Sequence, residues 1–317
     1  MKKAAVITAG ILLGAGLLIF IGGLIMGGGL KPIRFETKTY PVDEPFTDIR
    51  MDTQITDILI LPSTDGTMYV SAAEAEKIHH SVSVSDGTLT IKNVDERTWI
   101  DRLFPTYDMQ MIVYLPETSY HGFSAECRTG NIEIADRFTF ESIDIKNTTG
   151  SVKCAASASG RMKIEANTGD ITLENITAEE LWLSVSTGRI AIGKAAIQKG
   201  VLISVSTGRL EVNGLSCESL TTKGSTGRVL LRNVEIEHAL WIERSTGDVR
   251  LENIDAETIT VHTETGDVEG TLRSEMYFVT ETSTGKISVP DTHGGGRCEI
   301  KTSTGDIAIA YVGASQP

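Results

Sequence analysis

The sequence predicts an all-β fold: a single-stranded parallel β-helix, or solenoid, of about ten turns, preceded by one transmembrane helix. Three observations carry this. A Thr-Gly dipeptide returns every 19 or 20 residues, aliphatic columns stand at fixed offsets from its Gly, and one uncharged stretch opens the chain. A repeat this short cannot bury its own apolar face, so it must stack on its neighbours.

The corner glycines are Gly130, Gly150, Gly169, Gly188, Gly208, Gly227, Gly247, Gly266, Gly285 and Gly305. Two residues beyond each stands an aliphatic side chain, from Ile132 and Val152 through to Ile287 and Ile307. Four residues beyond, eight turns are again aliphatic, with Cys154 and Gly270 as departures. This is a strand of period two with one buried face. A second strand precedes the dipeptide. Seven residues before the Gly stand Phe123, Ile143, Met162, Leu181, Val201, Leu220, Leu240, Ile259, Phe278 and Cys298. A shorter apolar pair, such as Val234 and Ile236 or Ile254 and Ala256, suggests a short third strand. Asn175, Asn233 and Asn253 beside it suit a corner, because Asn tolerates the left-handed region. The dipeptide's Gly serves a sharp corner with positive φ, and its Thr residues form a ladder. Parallel coils are expected to wind right-handed. At about 4.8 Å per turn, ten turns make a rod about 50 Å long.

Residues 45–122 also read as β but without the period, with Asp65-Gly66 and Asp86-Gly87 marking turns. They are expected to form an irregular N-terminal cap that protects the end strands. The full division is a cytoplasmic tip over 1–3, the membrane segment over 4–30, a linker over 31–44, the cap over 45–122, the regular solenoid over 123–312, and a tail over 313–317. From Ala4 to Leu30 there is no charged residue, and a helix of that length would span about 40 Å against a hydrocarbon core of about 30 Å. It is expected to contact the bilayer as a single-pass anchor at the cell membrane, N-terminus in and β domain extracytoplasmic. A cleaved signal peptide is the alternative, with Gly27-Gly28-Gly29 as its small-residue end.

Composition excludes several classes. A formal net charge of −13 argues against nucleic acid, which needs a basic surface. Cys127, Cys154, Cys217 and Cys298 lie outside metal-ligand spacing of one another. All four fall at inward phases of the repeat and read as buried thiols. There is no His-x-x-x-His pair, nucleophile elbow or phosphate loop, and the uniform intervals leave no insertion to build a pocket. No catalytic residue, cofactor or metal is therefore assigned, and the chain reads as a non-enzyme. Asp170, Asp248, Asp267 and Asp306 share a column that could suggest calcium. Arg189, Arg209, Arg228 and Lys286 occupy the same column and oppose it.

Two surface features are candidate contacts. Six residues before the Gly, outward-facing positions hold Trp182, Leu202, Trp241 and Val279. Aromatic stripes of this kind mark contacts with partners or sugar rings, unless the N-terminal strands or a loop over 95–107 cover them. At the corner, Arg189, Arg209 and Arg228 follow one another on successive turns. They repel unless an anion or acidic neighbours such as Glu211 compensate.

The run Ser-Val-Ser-Asp-Gly-Thr-Leu-Thr-Ile-Lys at 83–92, Val-Tyr-Leu-Pro at 113–116 and the serial Ser-Thr-Gly-Asp-like turns resemble the bacterial putative-adhesin family of β-strand-repeat proteins. The resemblance covers about residues 45–310. It implies a cell-envelope interaction or scaffold module, with some members similar to components of Lia-type envelope-stress operons. The partners implied are envelope or membrane proteins, with cell-wall or host glycan as the adhesin alternative. It brings no binding residues with it. A glycan-processing β-helix enzyme is the remote alternative.

Overall fold

The computed structural model describes residues 22, 35–98 and 109–312. Apart from Gly22, the expected 4–30 membrane segment lies outside the described residues, as does the 313–317 tail. Among the described residues no helix is long and apolar enough to cross a membrane.

The described chain is a parallel β-solenoid of about ten Thr-Gly coils, each made of a strand before the dipeptide, a strand after it, and a short third side. In-register pairing passes from coil to coil, as in Leu181↔Val201 before the corner and Ile190↔Leu210 after it. Ile176↔Ala195 and Ala195↔Leu215 continue the third side. Its corner is left-handed at Asn175, Lys194, Gly214, Asn233 and Asn253. There Asn253 Nδ2 donates to Asn233 Oδ1 at 2.8 Å, and Asn233 Nδ2 to Asn213 Oδ1 at 3.1 Å.

The Thr-Gly corner demands Gly for two reasons at once. Its φ lies between +126° and +158° in all ten coils. In addition, the N–H of one Gly reaches the Thr carbonyl of the next coil, as Gly169 does to Thr187 at 3.0 Å. The backbones approach so closely that a Cβ on Gly208 would sit 1.7 Å from the Gly188 carbonyl oxygen. The core columns follow as the pattern predicts. Ile132, Val152, Ile171, Ile190, Leu210, Val229, Val249, Val268 and Ile307 are fully buried. All four cysteines are buried and free, and burial pushes the Cys154, Cys217 and Cys298 thiols up to about 12.

Two departures from the sequential stack change the reading. First, the last two coils are exchanged in space. Thr258–Thr265 pairs with Gly296–Thr304, which in turn pairs with Met276–Thr284. The order is therefore Gly266, Gly305, Gly285. The Gly285 coil closes the stack, which leaves Ile287 45% exposed although its column is otherwise core. Gly295 and Gly296 permit the doubling back: a Cβ on Gly295 would meet the Glu275 carbonyl oxygen, and one on Gly296 that of Glu257, each at 1.8 Å. The inserted coil is wedged between the two coils that follow directly in sequence.

Second, the cap is not simply irregular. It contains β1 (Phe35–Val42), β2 (Asp48–Ile55), β3 (Asp57–Pro62), β4 (Met68–Ala75), β5 (Ile78–Ser85), β6 (Thr88–Asp95) and β7 (Gln110–Leu115). β2 and β3 form a further coil stacked directly on the Gly130 coil: Phe123 pairs with Ile49 and Ile132 with Ile58. Thr56 stands where later coils have Gly. β6 and β7 add the next layer in parallel, while β1, β4 and β5 close it with antiparallel pairing. Antiparallel strands and turns shield a parallel edge that would otherwise invite another chain.

The cap is tied by Glu74, which is buried. Its Oε1 accepts from the Tyr40 hydroxyl at 2.5 Å and from the His80 backbone N–H at 2.8 Å, and lies 3.3 Å from His80 Nδ1. Burial pushes the Glu74 carboxyl up, but these donors with Lys38 outweigh it and hold the group below the usual carboxylate range. Burial likewise dominates at His80 and holds it below the ordinary imidazole value. A depressed carboxylate contributes stability above its unfolded pKa and loses it as pH falls through the folded value. A depressed His is neutral in the fold, so stability falls once the unfolded chain begins to protonate, below about pH 6.5. Hydrogen exchange, corrected for intrinsic rates, is therefore expected to show β1 and β5 losing protection between pH 7 and 5, while the Gly169 to Gly247 coils keep theirs.

Candidate functional site

Strand alternation puts the residue six before each Gly on the outer face, and parallel pairing aligns these residues in one column. Lys163 pairs with Trp182, Trp182 with Leu202, Thr221 with Trp241, Trp241 with Thr260, Thr260 with Glu299, and Glu299 with Val279. Trp182, Leu202 and Trp241 are 36%, 43% and 39% exposed. Val279 is half-buried and lies beyond Glu299, because the coil exchange moves it one place outward. Of the loop named above as a cover, residues 99–107 lie outside the described chain.

The two tryptophans are held by polar neighbours. The Arg161 guanidinium lies 4.1 Å from the Trp182 ring centroid while its Nε pairs with Glu180 at 3.1 Å. His262 meets Trp241 edge-on at 5.4 Å between centroids. Such contacts restrain the ring orientation, at a gain of about 0.5–1 kcal/mol for an exposed cation–π pair.

At the corner, Arg189 and Arg209 are direct partners on adjacent coils. Arg189 lies 3.6 Å from Asp170 and 3.7 Å from Glu211, and Arg228 lies 3.3 Å from Asp248. Acidic neighbours thus accompany two of the three guanidiniums. For Arg209 no ion pair is formed with the described residues.

The Asp column has a role that sequence reading missed. The short side chain after the Gly accepts the backbone N–H of the same position in the next coil. Arg189 N–H donates to Asp170 at 2.8 Å, Asp306 N–H to Asp267 at 2.8 Å, and Lys286 N–H to Asp306 at 2.7 Å. Asn131 does the same for Ser151 at 2.9 Å. The recurrence of Asp, Asn and Ser after Thr-Gly, all small acceptors, was the available signal. Among the described residues no three metal-ligating side chains gather into a cation site.

Two grooves follow the coils. One, of about 700 Å³, lies along the short third side and is lined by Glu218, Glu235, Glu237, Asp255, Glu257 and Glu275. Part of this charge is paired, with Arg273 3.7 Å from Glu235. The other, of about 660 Å³, lies beside Trp241 and includes Arg244, His262 and a row of serines.

The chain is similar to the solved structure of a putative adhesin from Parabacteroides merdae, at 14% identity and a TM-score of 0.47, over 75% of this chain and 96% of that one. It is also similar to a structure described as a putative lipid binding protein from Parabacteroides distasonis, at 12% identity and 0.48, over 86% and 96%. A putative adhesin from Bacteroides fragilis matches at 15% and 0.38, over 88% and 97%. No curated protein matches. The family model described as Toastrack DUF4097 matches twice, over residues 46–205 and 195–316, and so spans the chain from β2 through every Thr-Gly coil: the chain belongs to the Toastrack DUF4097 family.

Proposed function

We propose that this chain is a non-enzymatic interaction module of the cell envelope, which engages a protein partner through the outer column at Trp182, Leu202 and Trp241. The observation that carries this is the exposure of three large apolar side chains in one register column of a rigid sheet. Rings already oriented by Arg161 and His262 lose little entropy on contact, and buried aromatics dominate interface energetics. Val279 extends the same column beyond Glu299. The uncharged stretch 4–30 would anchor the module in the membrane and hold the rod extracytoplasmic. A role as an accessory of envelope-stress signalling is the finer reading, and it rests on the family resemblance alone.

A photo-crosslinker placed at Trp241 in living cells tests the proposal. A discrete protein adduct is expected, together with loss of partner recovery in Trp182→Ser/Trp241→Ser. That variant should cost under ~1 kcal/mol of stability at each site, since both rings are surface groups. A polydisperse, muramidase-sensitive adduct would identify a wall polymer as the ligand instead. No adduct, with recovery unchanged in the double variant, would remove the column as a contact face.

A further inference from the structure

Arg244 breaks the pattern of its column. Three residues before the corner Gly, the inward position holds Val185, Val205, Gly224, Arg244 and Thr263 in succession along the chain. Arg244 is only 2% exposed, a burial that charged side chains reach almost only when paired. Its guanidinium fills the space left by Gly224 on the paired coil, where a Cβ would meet Arg244 Nη1 at 1.7 Å. From there Nη1 donates to the Val205 carbonyl at 2.8 Å. Gly224 and Arg244 are therefore complementary: the missing side chain of one makes room for the charge of the other.

The rest of the guanidinium is uncompensated. Nε and Nη2 are buried, and among the described residues they have no hydrogen-bond partner and no carboxylate pairs with them. Burial holds the group down at about 10. Two residues before Gly224 on its strand, the Thr222 hydroxyl is also buried without a partner. Nε and Nη2 form the side-on fork of a guanidinium, whose two parallel N–H groups match the two oxygens of a carboxylate or phosphate. A buried guanidinium face that the protein itself does not pair is one whose desolvation an anion would offset.

We propose that Arg244 is an oxyanion-binding residue, holding one carboxylate or phosphate group through Nε and Nη2 at the groove it shares with Trp241, Ser225, Ser245, His262 and Lys301. Glu243, Glu264 and Glu281 also line this groove, Glu243 being paired with Lys223 at 3.4 Å, so the anion must reach the guanidinium itself and not the groove rim. The site stands whether or not the Trp column is a contact face.

The test is thermal unfolding of the full chain in detergent, titrated with inorganic phosphate or acetate at constant ionic strength. Wild type should show a saturable rise of ~2–5 °C with at least one of the two ions. Phosphate alone would indicate a phosphate ligand, and acetate alone a carboxylate. Arg244→Met should lose the response. Arg244→Lys, which keeps the charge without the fork, should bind about ten-fold more weakly and serves if Arg244→Met does not fold. The proposal is overturned if wild type responds to neither ion, if Arg244→Met rises as wild type does (a general salt effect), or if Arg244→Lys binds as tightly as wild type.

Discussion

Gly208→Ala should lower stability by about 3 kcal/mol or more, and it is expected to be among the most damaging single-methyl changes in the chain. Two costs add. At φ +143° an L side chain is strained, at about 1–3 kcal/mol. The new Cβ would also lie 1.7 Å from the Gly188 carbonyl oxygen, which cannot retreat because its own coil is stacked on the next. Chemical denaturation read by far-UV circular dichroism measures the change. Gly294→Ala is the control: its φ is ordinary and a Cβ there meets nothing within 4 Å, so a shift within about 0.5 kcal/mol is expected. Equal effects at the two positions would mean that the coils are not packed backbone to backbone at the corner.

Phe140→Ala should cost about 3–5 kcal/mol. Phe140 is fully buried, with ring centroids 5.6 Å from Tyr120, 5.3 Å from Phe123 and 6.2 Å from Phe138. These rings fill the interior of the first coils; on the coil that follows, Phe140 is paired with the smaller Ala158. Deleting one leaves a cavity that stacked strands cannot collapse, because each is held by backbone pairing on both sides. Met162→Ala, also in the core but paired with the aliphatic Ile143 and Leu181 on its neighbouring strands, should cost less, at about 2–4 kcal/mol. The ranking is checked by the same denaturation measurement.

The repeat made most of this legible. Period two around Ile171 and Leu173, and the Gly at a fixed offset, were enough to place the core columns, the outward Trp182 and Trp241, and the inward cysteines. Asn233 and Asn253 marked the second corner, whereas Lys194, in the same left-handed conformation, carried no such signal. The exchange of the last two coils was hidden because both carry the same Thr-Gly signature at the repeat's usual interval of 19 or 20 residues, so either order satisfies the pattern. Only Gly295 and Gly296 hinted at it, and Gly reads as an ordinary loop residue until a carbonyl is seen against it. The β2–β3 coil was hidden for the opposite reason. It has Ile55-Thr56 in place of Thr-Gly, and the whole β4–β7 insertion separates it from the coil on which it stacks. Arg244 escaped because its significance lies in Gly224 on the neighbouring coil, a relation across 20 residues that no local pattern reports.

The composition of the outer column depends on the order in which the coils stack, so the most direct measurement is that order. Paired parallel strands place partner Cα atoms about 4.8 Å apart, within disulfide reach, whereas strands two apart lie about 9.6 Å away and outside it. With Thr260 paired to Glu299, and Glu299 to Val279, Thr260→Cys/Glu299→Cys should oxidise to an internal disulfide while Thr260→Cys/Val279→Cys should not. The native thiols are buried and should contribute little background. Rapid bridging of 260 to 299, with none of 260 to 279, is the result expected of the exchanged stack. Bridging of 260 to 279 in place of 260 to 299 would show that the coils stack in sequence order, and would contradict both the position of Val279 and the closing role of the Gly285 coil.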